Sequence, residues 1–194
     1  MDTPSLALEQ LSIAKYLFRL RAETPIHLPP WKGSTLHGGF GHALKKISPF
    51  YYQQLFTPGQ AGDHPKPLVL LPPLEKDELY PPGQDFSCEL TLFGDALPHF
   101  SICHAALEYL GREMGFARNQ GKFSVQALET ALPPHLNTPS GPALSGQEIA
   151  GGCADLNTRQ LTLLFPTRLR LKANGQLIRQ APPFHLFFAR SYFT

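Results

Sequence analysis

The 194-residue sequence has few cysteines, few charged residues and no long apolar run. The low charged fraction, 16%, argues against general disorder, and the other two shortages each exclude a class of protein. Its three cysteines, Cys88, Cys103 and Cys153, are far apart and form no CxxC pair. This spacing supports neither a zinc site nor a disulfide framework, so we expect no metal and no other cofactor. No segment approaches the roughly 20 apolar residues that span a bilayer, and the N-terminus lacks the apolar core of a signal peptide. We expect a cytoplasmic protein without a membrane partner.

The residues that are present indicate a folded domain with an uneven charge distribution. A hydrophobic content of 42% is enough for a core, and 20 prolines predict many punctuated connections. The net charge is only +2, but the segment from residue 159 to the end carries six basic residues and no acidic one. Such a segment suits a polyanionic partner, and a merely solvated basic face explains it equally well.

Apolar periodicity predicts the order strand, helix, strand, strand, helix, strand. The predicted elements are a strand in 11–25, a helix from a cap at Ser34 or Thr35 to Ile47, strands in 66–74 and 85–94, a helix opening at Pro98, and a strand in 121–132. This order is that of the α+β ferredoxin-like (RRM-like) βαββαβ fold, with two helices on one face of an antiparallel sheet. A loop follows, and then a strand pair turning at Asn174-Gly175.

The segment LPPWKGSTLHGGFGHALKKI, residues 28–47, combines histidines, lysines and glycines on the first predicted helix. A helical wheel places Leu36, Phe40, Ala43 and Ile47 in the buried stripe, with Leu44 at its edge. His42, Lys45 and Lys46 fall opposite that stripe, and His37 lies near its edge. The bare glycines at 38, 39 and 41 permit close approach of a ligand, but tight helix packing explains them as well. Histidines five residues apart do not suit a metal on a helix.

Three further groups are candidate RNA contacts or proton-transfer residues. In TRLRLK, period two places Arg168, Arg170 and Lys172 on one face of a strand, a suitable track for phosphates or an ordinary solvated face. Arg118 and Lys122 flank a glycine-containing turn and extend that track, unless the turn simply carries unpartnered charges. Tyr51 and Tyr52 can stack on bases, although residues of an aromatic cluster more often belong to the core.

Several segments in order resemble the CRISPR-associated endoribonuclease family that processes CRISPR precursor RNA, within the repeat-associated mysterious protein (RAMP) superfamily. They are LPPWKGSTLHGGFGHALKKI, YYQQLFTP, PLVLLPP, YPPGQDFSCELTLFG, ALPHFSICHAALEYLGREMGFARNQGKF and LLFPTRLRLKANGQL. The resemblance covers most of residues 20–188. It implies metal-independent cutting within repeats, in which the 2′-hydroxyl of the RNA attacks the adjacent phosphate. A histidine on or near the first helix then acts as general acid or base, assisted by tyrosine or lysine.

The resemblance assigns the catalytic role to His42 or His37, with Lys45, Lys46, Tyr51 and Tyr52 as candidate helpers, and the motif does not choose between the histidines. The wheel favours His42, which it groups with two lysines. The cysteine cluster that many relatives carry after the first helix is absent, because ISPFYY bridges that point directly.

We expect a ferredoxin-like RAMP domain at 8–132, a linker at 133–158 and the opening strands of a second, truncated ferredoxin-like domain at 159–194. The expected partners are CRISPR repeat RNA and other subunits of a CRISPR complex. Two alternative functions stay open: a non-catalytic RNA-binding or scaffold subunit, and a protein-interaction domain that completes its missing half as a homodimer.

Overall fold

A computed structural model of the chain describes residues 11–57, 66–131, 143–153, 162, 172–173 and 176–178. Its elements are β1 (Ser12–Ala22), β2 (Ile26–His27), α1 (Lys32–Ile47), α2 (Pro49–Phe56), β3 (Leu68–Leu71), β4 (Leu79–Tyr80), β5 (Asp85–Phe93), a 3₁₀ helix (Gly94–His99), α3 (Phe100–Tyr109), a π-helical turn (Leu110–Met114), β6 (Phe123–Thr130), β7 (Ala143–Ser145), α4 (Gly146–Cys153), β8 (Lys172–Ala173) and β9 (Gln176–Leu177).

The main sheet has the strand order β3-β5-β1-β6, with every neighbouring pair antiparallel. With α1 between β1 and β3 and α3 between β5 and β6, this is the predicted ferredoxin-like α+β arrangement. Strict alternation in β5 buries Phe86, Cys88, Leu90 and Leu92 and leaves the intervening side chains partly exposed. Period two therefore directs one face of the sheet to the core.

The core lies between this sheet face and the helices. Phe18 and Leu20 of β1 are almost fully buried in one cluster with Phe40 of α1 and Cys103 of α3. Cys88 and Cys103 are confirmed as core residues, and burial raises the pKa of each thiol to about 12.

The opposite face of the sheet carries cross-strand ion pairs. Lys15 pairs with Glu89 at 2.6 Å, and Arg21 pairs with Asp85 at 2.7 Å. Among the described residues, no helix is long and apolar enough to cross a membrane, and no three His, Cys, Asp or Glu side chains are grouped to hold a metal ion.

Several local predictions were wrong. Helix α1 begins at Lys32 after Trp31, not at a Ser34 or Thr35 cap. Leu44, predicted at the edge of the buried stripe, is fully buried, whereas Ile47, predicted within it, is only partly buried. Ser48 ends α1 as expected, but its hydroxyl also accepts from the Tyr51 amide and starts α2, a helix that the aromatic pattern did not reveal.

The second helical region also starts differently from the prediction. Pro98 does not open the helix but lies inside the 3₁₀ segment that precedes α3. Helical apolar spacing predicts Cys103, Ala106, Leu107, Leu110 and Met114 as buried. Cys103, Ala106 and Leu107 of α3 and Leu110 of the π-helical turn are buried, whereas Met114 is only partly buried.

The predicted linker at 133–158 contains regular structure in its described part, 143–153. Strand β7 pairs with the start of β1, and α4 follows it. A capping box starts this helix: the Ser145 amide donates to the Glu148 carboxylate at 2.8 Å, and the Glu148 amide donates to the Ser145 hydroxyl at 3.2 Å. Further along, β8 and β9 are antiparallel on either side of Asn174-Gly175, as predicted.

Candidate functional site

A groove of about 940 Å³ lies between α1, the β2–β4 strand pair and the loop after the π-helical turn. His42 of α1, His27 of β2 and Arg118 of the loop line it, and all three are exposed. These residues come from three separate parts of the chain. The groove therefore combines two groups that can transfer protons with one permanent cation.

The α1 wall of the groove owes its shape to Gly38 and Gly39, which both line it. A Cβ at Gly39 would lie 3.2 Å from Leu110 Cδ1, so this glycine admits the start of the π-helical turn. A Cβ at Gly41, outside the groove, would lie 2.7 Å from Phe56 Cε1, so that glycine admits α2. At Gly38 a Cβ would meet nothing within 4 Å. Two of the three glycines thus serve packing, and Gly38 leaves α1 bare in the groove.

The loop wall is tightly constrained. Gly115 has a φ of +80°, and its amide donates to the Leu110 carbonyl at 2.7 Å. Ala117 and Gln120 have φ values of 63° and 51°, a left-handed conformation that costs most non-glycine residues free energy. The loop is therefore held in place by its surroundings, and Arg118 is presented from it.

The Asn119 side chain joins this loop to the strand wall. The Asn119 amide group donates to the Pro25 carbonyl at 2.6 Å, and its carbonyl oxygen accepts from the His27 amide at 3.2 Å. Asn119 directly follows Arg118 in the loop. Its side chain therefore links the part of the loop that carries Arg118 to the backbone of His27.

The strand wall consists of β2 and β4, in which Ile26 pairs with Tyr80 and His27 with Leu79. Ile26 and Tyr80 are fully buried, whereas His27 and Leu79 are exposed. The next contact along, from the Leu28 amide to the Glu78 carbonyl at 2.8 Å, brings Glu78 to the groove.

The structure separates the two predicted histidines. The His37 ring packs on Phe56 with ring centres 4.7 Å apart, and its Nε2 lies 3.4 Å from Lys66 Nζ. Burial, and in addition the Lys66 ammonium, lowers the pKa of His37 below its usual value. His37 thus belongs to the α2 side of the helix, and His42 to the groove.

The predicted lysine and tyrosine helpers divide in the same way. Lys45 Nζ lies 5.5 Å from the centre of the Tyr52 ring, on the α2 side. Tyr51 packs against Phe50 and His99, and both tyrosines are partly buried against the core. Lys46 is exposed one helical turn after His42. None of these four residues lines the groove.

Of the predicted RNA contacts, Arg118 lies in the groove. Lys122 does not, because its Nζ donates to the Glu113 carbonyl at 2.7 Å and holds the end of the π-helical turn. Arg168 and Arg170 lie outside the described residues, and for Lys172 the structure describes only the backbone, in β8.

Sequence reasoning missed His27, Glu78 and Asn119. The one available signal was the alternation of apolar and polar residues at Ile26, His27 and Leu28, which predicts an exposed His27. Nothing in the local sequence indicates that residues near 27, 78 and 119 meet, because two-residue strands and a side-chain hydrogen bond bring them together.

The chain was compared with known proteins at the level of sequence families and of structures. A family model described as AF_1859_N, N-terminal domain, matches residues 11–141. No curated protein matches the sequence significantly. A chain in the crystal structure of the Csm3-Csm4 subcomplex of the type III-A CRISPR-Cas interference complex is 14% identical with a TM-score of 0.50, and the match covers 76% of this chain and 97% of that one.

Two other solved structures match shorter parts of larger chains. A Cas6 product complex is 22% identical with a TM-score of 0.39, and the match covers 60% of this chain and 38% of that one. A RAMP protein that binds different RNA substrates is 13% identical with a TM-score of 0.41, and the match covers 61% of this chain and 48% of that one. This chain thus spans less than half the length of these two proteins. The likeness to the Csm3-Csm4 chain shows that the ferredoxin-like fold is shared.

Proposed function

The chain belongs to the family of the AF_1859_N N-terminal domain, and we propose that it binds CRISPR repeat RNA in the His42 groove and cuts it there. The observation that carries the proposal is the convergence of His42, His27 and Arg118 on one groove. The fold shared with a Csm3-Csm4 chain and the resemblance of the sequence to precursor-RNA endoribonucleases support CRISPR repeat RNA as the proposed substrate.

The reaction that fits these groups is transesterification within the RNA. One imidazole removes the proton from a ribose 2′-hydroxyl, and the oxygen then forms a bond to the adjacent phosphorus. The bond from phosphorus to the 5′-oxygen breaks, and a second proton donor protonates that leaving oxygen. The products are a 2′,3′-cyclic phosphate and a free 5′-hydroxyl. We assign one proton transfer to His42 and the other to His27, while Arg118 neutralises charge on the phosphate.

A cleavage assay tests this assignment. The purified chain is incubated in EDTA with a labelled CRISPR repeat hairpin, and the new 3′ ends are examined for a cyclic phosphate. His42→Ala should abolish cleavage and His27→Ala should reduce it by about 100-fold or more, as for loss of a general acid or base. His37→Ala is the matched control, because it changes a histidine on the same helix that faces α2. Full activity in His42→Ala would refute the assignment.

The second candidate function is a non-catalytic RNA-binding subunit of a CRISPR complex. It is favoured by the coverage of 97% of a chain from the Csm3-Csm4 subcomplex, since that chain belongs to an assembly. This function requires Arg118 but neither histidine. RNA binding that weakens steeply with salt, survives both His→Ala changes and is never followed by cleavage would support it.

A further inference from the structure

The composition of the groove does not match that of a site for phosphates alone. Its described lining includes Leu28, Leu79, Leu110 and Met114. Leu28 and Leu110 are almost fully buried, but Met114 is partly exposed and Leu79 is 50% exposed although it is apolar. The described lining contains one arginine, Arg118, and one carboxylate, that of Glu78. A phosphate track would instead be lined by several cations, because each phosphate contact releases counterions from the nucleic acid. The apolar surface suits the flat face of a base.

Glu78 is the one acidic residue among the described residues that line the groove. It is exposed, and its carboxylate forms no ion pair with any residue of the described part of the chain. The hydrogen bond from the Leu28 amide to its carbonyl fixes the Glu78 backbone beside β2. A carboxylate placed there repels phosphates and accepts hydrogen bonds from N–H groups.

Resting on the proposed function, we infer that the groove receives an unstacked nucleobase and that Glu78 reads the base edge, with guanine preferred. A volume of about 940 Å³ falls within the usual range for small-molecule pockets and leaves room for a splayed-out nucleotide. Guanine presents two adjacent donors, N1–H and the 2-amino group, which match the two carboxylate oxygens. Cytosine and adenine offer one amino group on this edge. Uracil places its single N–H between two carbonyl oxygens, which a carboxylate repels.

The experiment compares Glu78→Gln with the unchanged protein on five short RNAs. Each is an eight-nucleotide oligouridine whose fifth base is guanine, hypoxanthine, cytosine, adenine or uracil, and binding is measured by fluorescence anisotropy. The unchanged protein should bind the guanine RNA about tenfold more tightly than the uracil RNA, as for one good base contact. The hypoxanthine RNA, which lacks the 2-amino group, should lie between them.

In Glu78→Gln the guanine preference should fall to about twofold or less, because a carboxamide presents only one acceptor oxygen to the two donors. Glu75→Gln is the matched control: it removes the same charge from the same connection, at an exposed residue outside the groove lining. It should leave the preference unchanged. If both variants have the same thermal midpoint as the unchanged protein, folding is unaffected by either substitution.

The direction of the change separates base reading from simple repulsion. If Glu78 only repels phosphates, Glu78→Gln tightens binding of all five RNAs by the same factor and keeps their ranking, which overturns the inference while RNA binding stands. If the unchanged protein binds all five equally, the inference is also overturned. If it binds none of them and no repeat hairpin, the proposed function fails as well.

Discussion

Replacing Gly38 with alanine should make the protein more stable and its RNA binding weaker. Gly38 lies within α1, where alanine is favoured over glycine by about 1 kcal/mol. The added Cβ would meet nothing within 4 Å, so no packing cost offsets that preference. We therefore expect the free energy of unfolding to rise by about 1 kcal/mol, and the melting temperature by about 2–4 °C for a chain of this size.

The neighbouring glycines provide matched controls on the same helix. In Gly41→Ala the new Cβ would lie 2.7 Å from the Phe56 ring, which is itself packed against His37 and Tyr52. Overpacking of this kind costs about 1–3 kcal/mol and outweighs the gain in helix preference. Gly39→Ala, with 3.2 Å to Leu110, should fall between the two. Urea denaturation should therefore rank the variants in the order Gly38, Gly39, Gly41, from most to least stable.

Binding should show the opposite effect at Gly38. This residue lines the groove without a side chain, so a methyl group there would occupy space that RNA in the proposed site reaches. We expect an affinity for a labelled repeat hairpin lower by about 3- to 10-fold, the order of one disturbed contact of about 1 kcal/mol. A Gly38→Ala protein that is more stable and binds RNA with unchanged affinity would refute the reasoning, because it would place the RNA away from α1.

Two further predictions concern the loop wall and the half-buried His37. Asn119→Ala removes the two hydrogen bonds from the Asn119 side chain to Pro25 and His27 and should lower the free energy of unfolding by about 1–3 kcal/mol in urea denaturation, with weaker RNA binding. Unchanged stability would show that the loop keeps its conformation without these two bonds. Because the pKa of His37 is lowered on folding, the unfolded chain binds more protons just below pH 6.5, so stability should fall on acidification through that range. His37→Gln should flatten this part of the stability profile, and an unaltered slope would contradict the assignment.

The fold could be predicted because its signals are local. Alternation in β5 and helical spacing in α3 each follow from a few adjacent residues, and their order along the chain is that of one known topology. Helix α2 was missed because its start depends on the Ser48 hydroxyl, a side-chain cap within an aromatic run. The strand β7 was missed because three residues contain too little alternation to be recognised.

The site was predictable only in part. A helical wheel groups His42 with exposed residues, and the structure confirms that His42 is exposed. The wheel contains no information about α2, so it could not show that His37 packs against that helix. His37 is explained by Phe56 and Lys66, residues 19 and 29 positions further along. His27 and Glu78 join the groove through a pairing across more than 50 residues. Such contacts depend on the tertiary fold and have no local signature.

Photo-crosslinking tests the central claim, RNA binding in the His42 groove, most directly. A repeat hairpin containing 4-thiouridine would be bound to the purified chain and irradiated, and the crosslinked peptides identified by mass spectrometry, with excess unmodified hairpin as competitor. The account predicts competed crosslinks in the segments 27–42 and 114–120, which contain most of the described residues that line the groove. Crosslinks confined to the ion-paired sheet face around Lys15 and Arg21, with none in those segments, would contradict it.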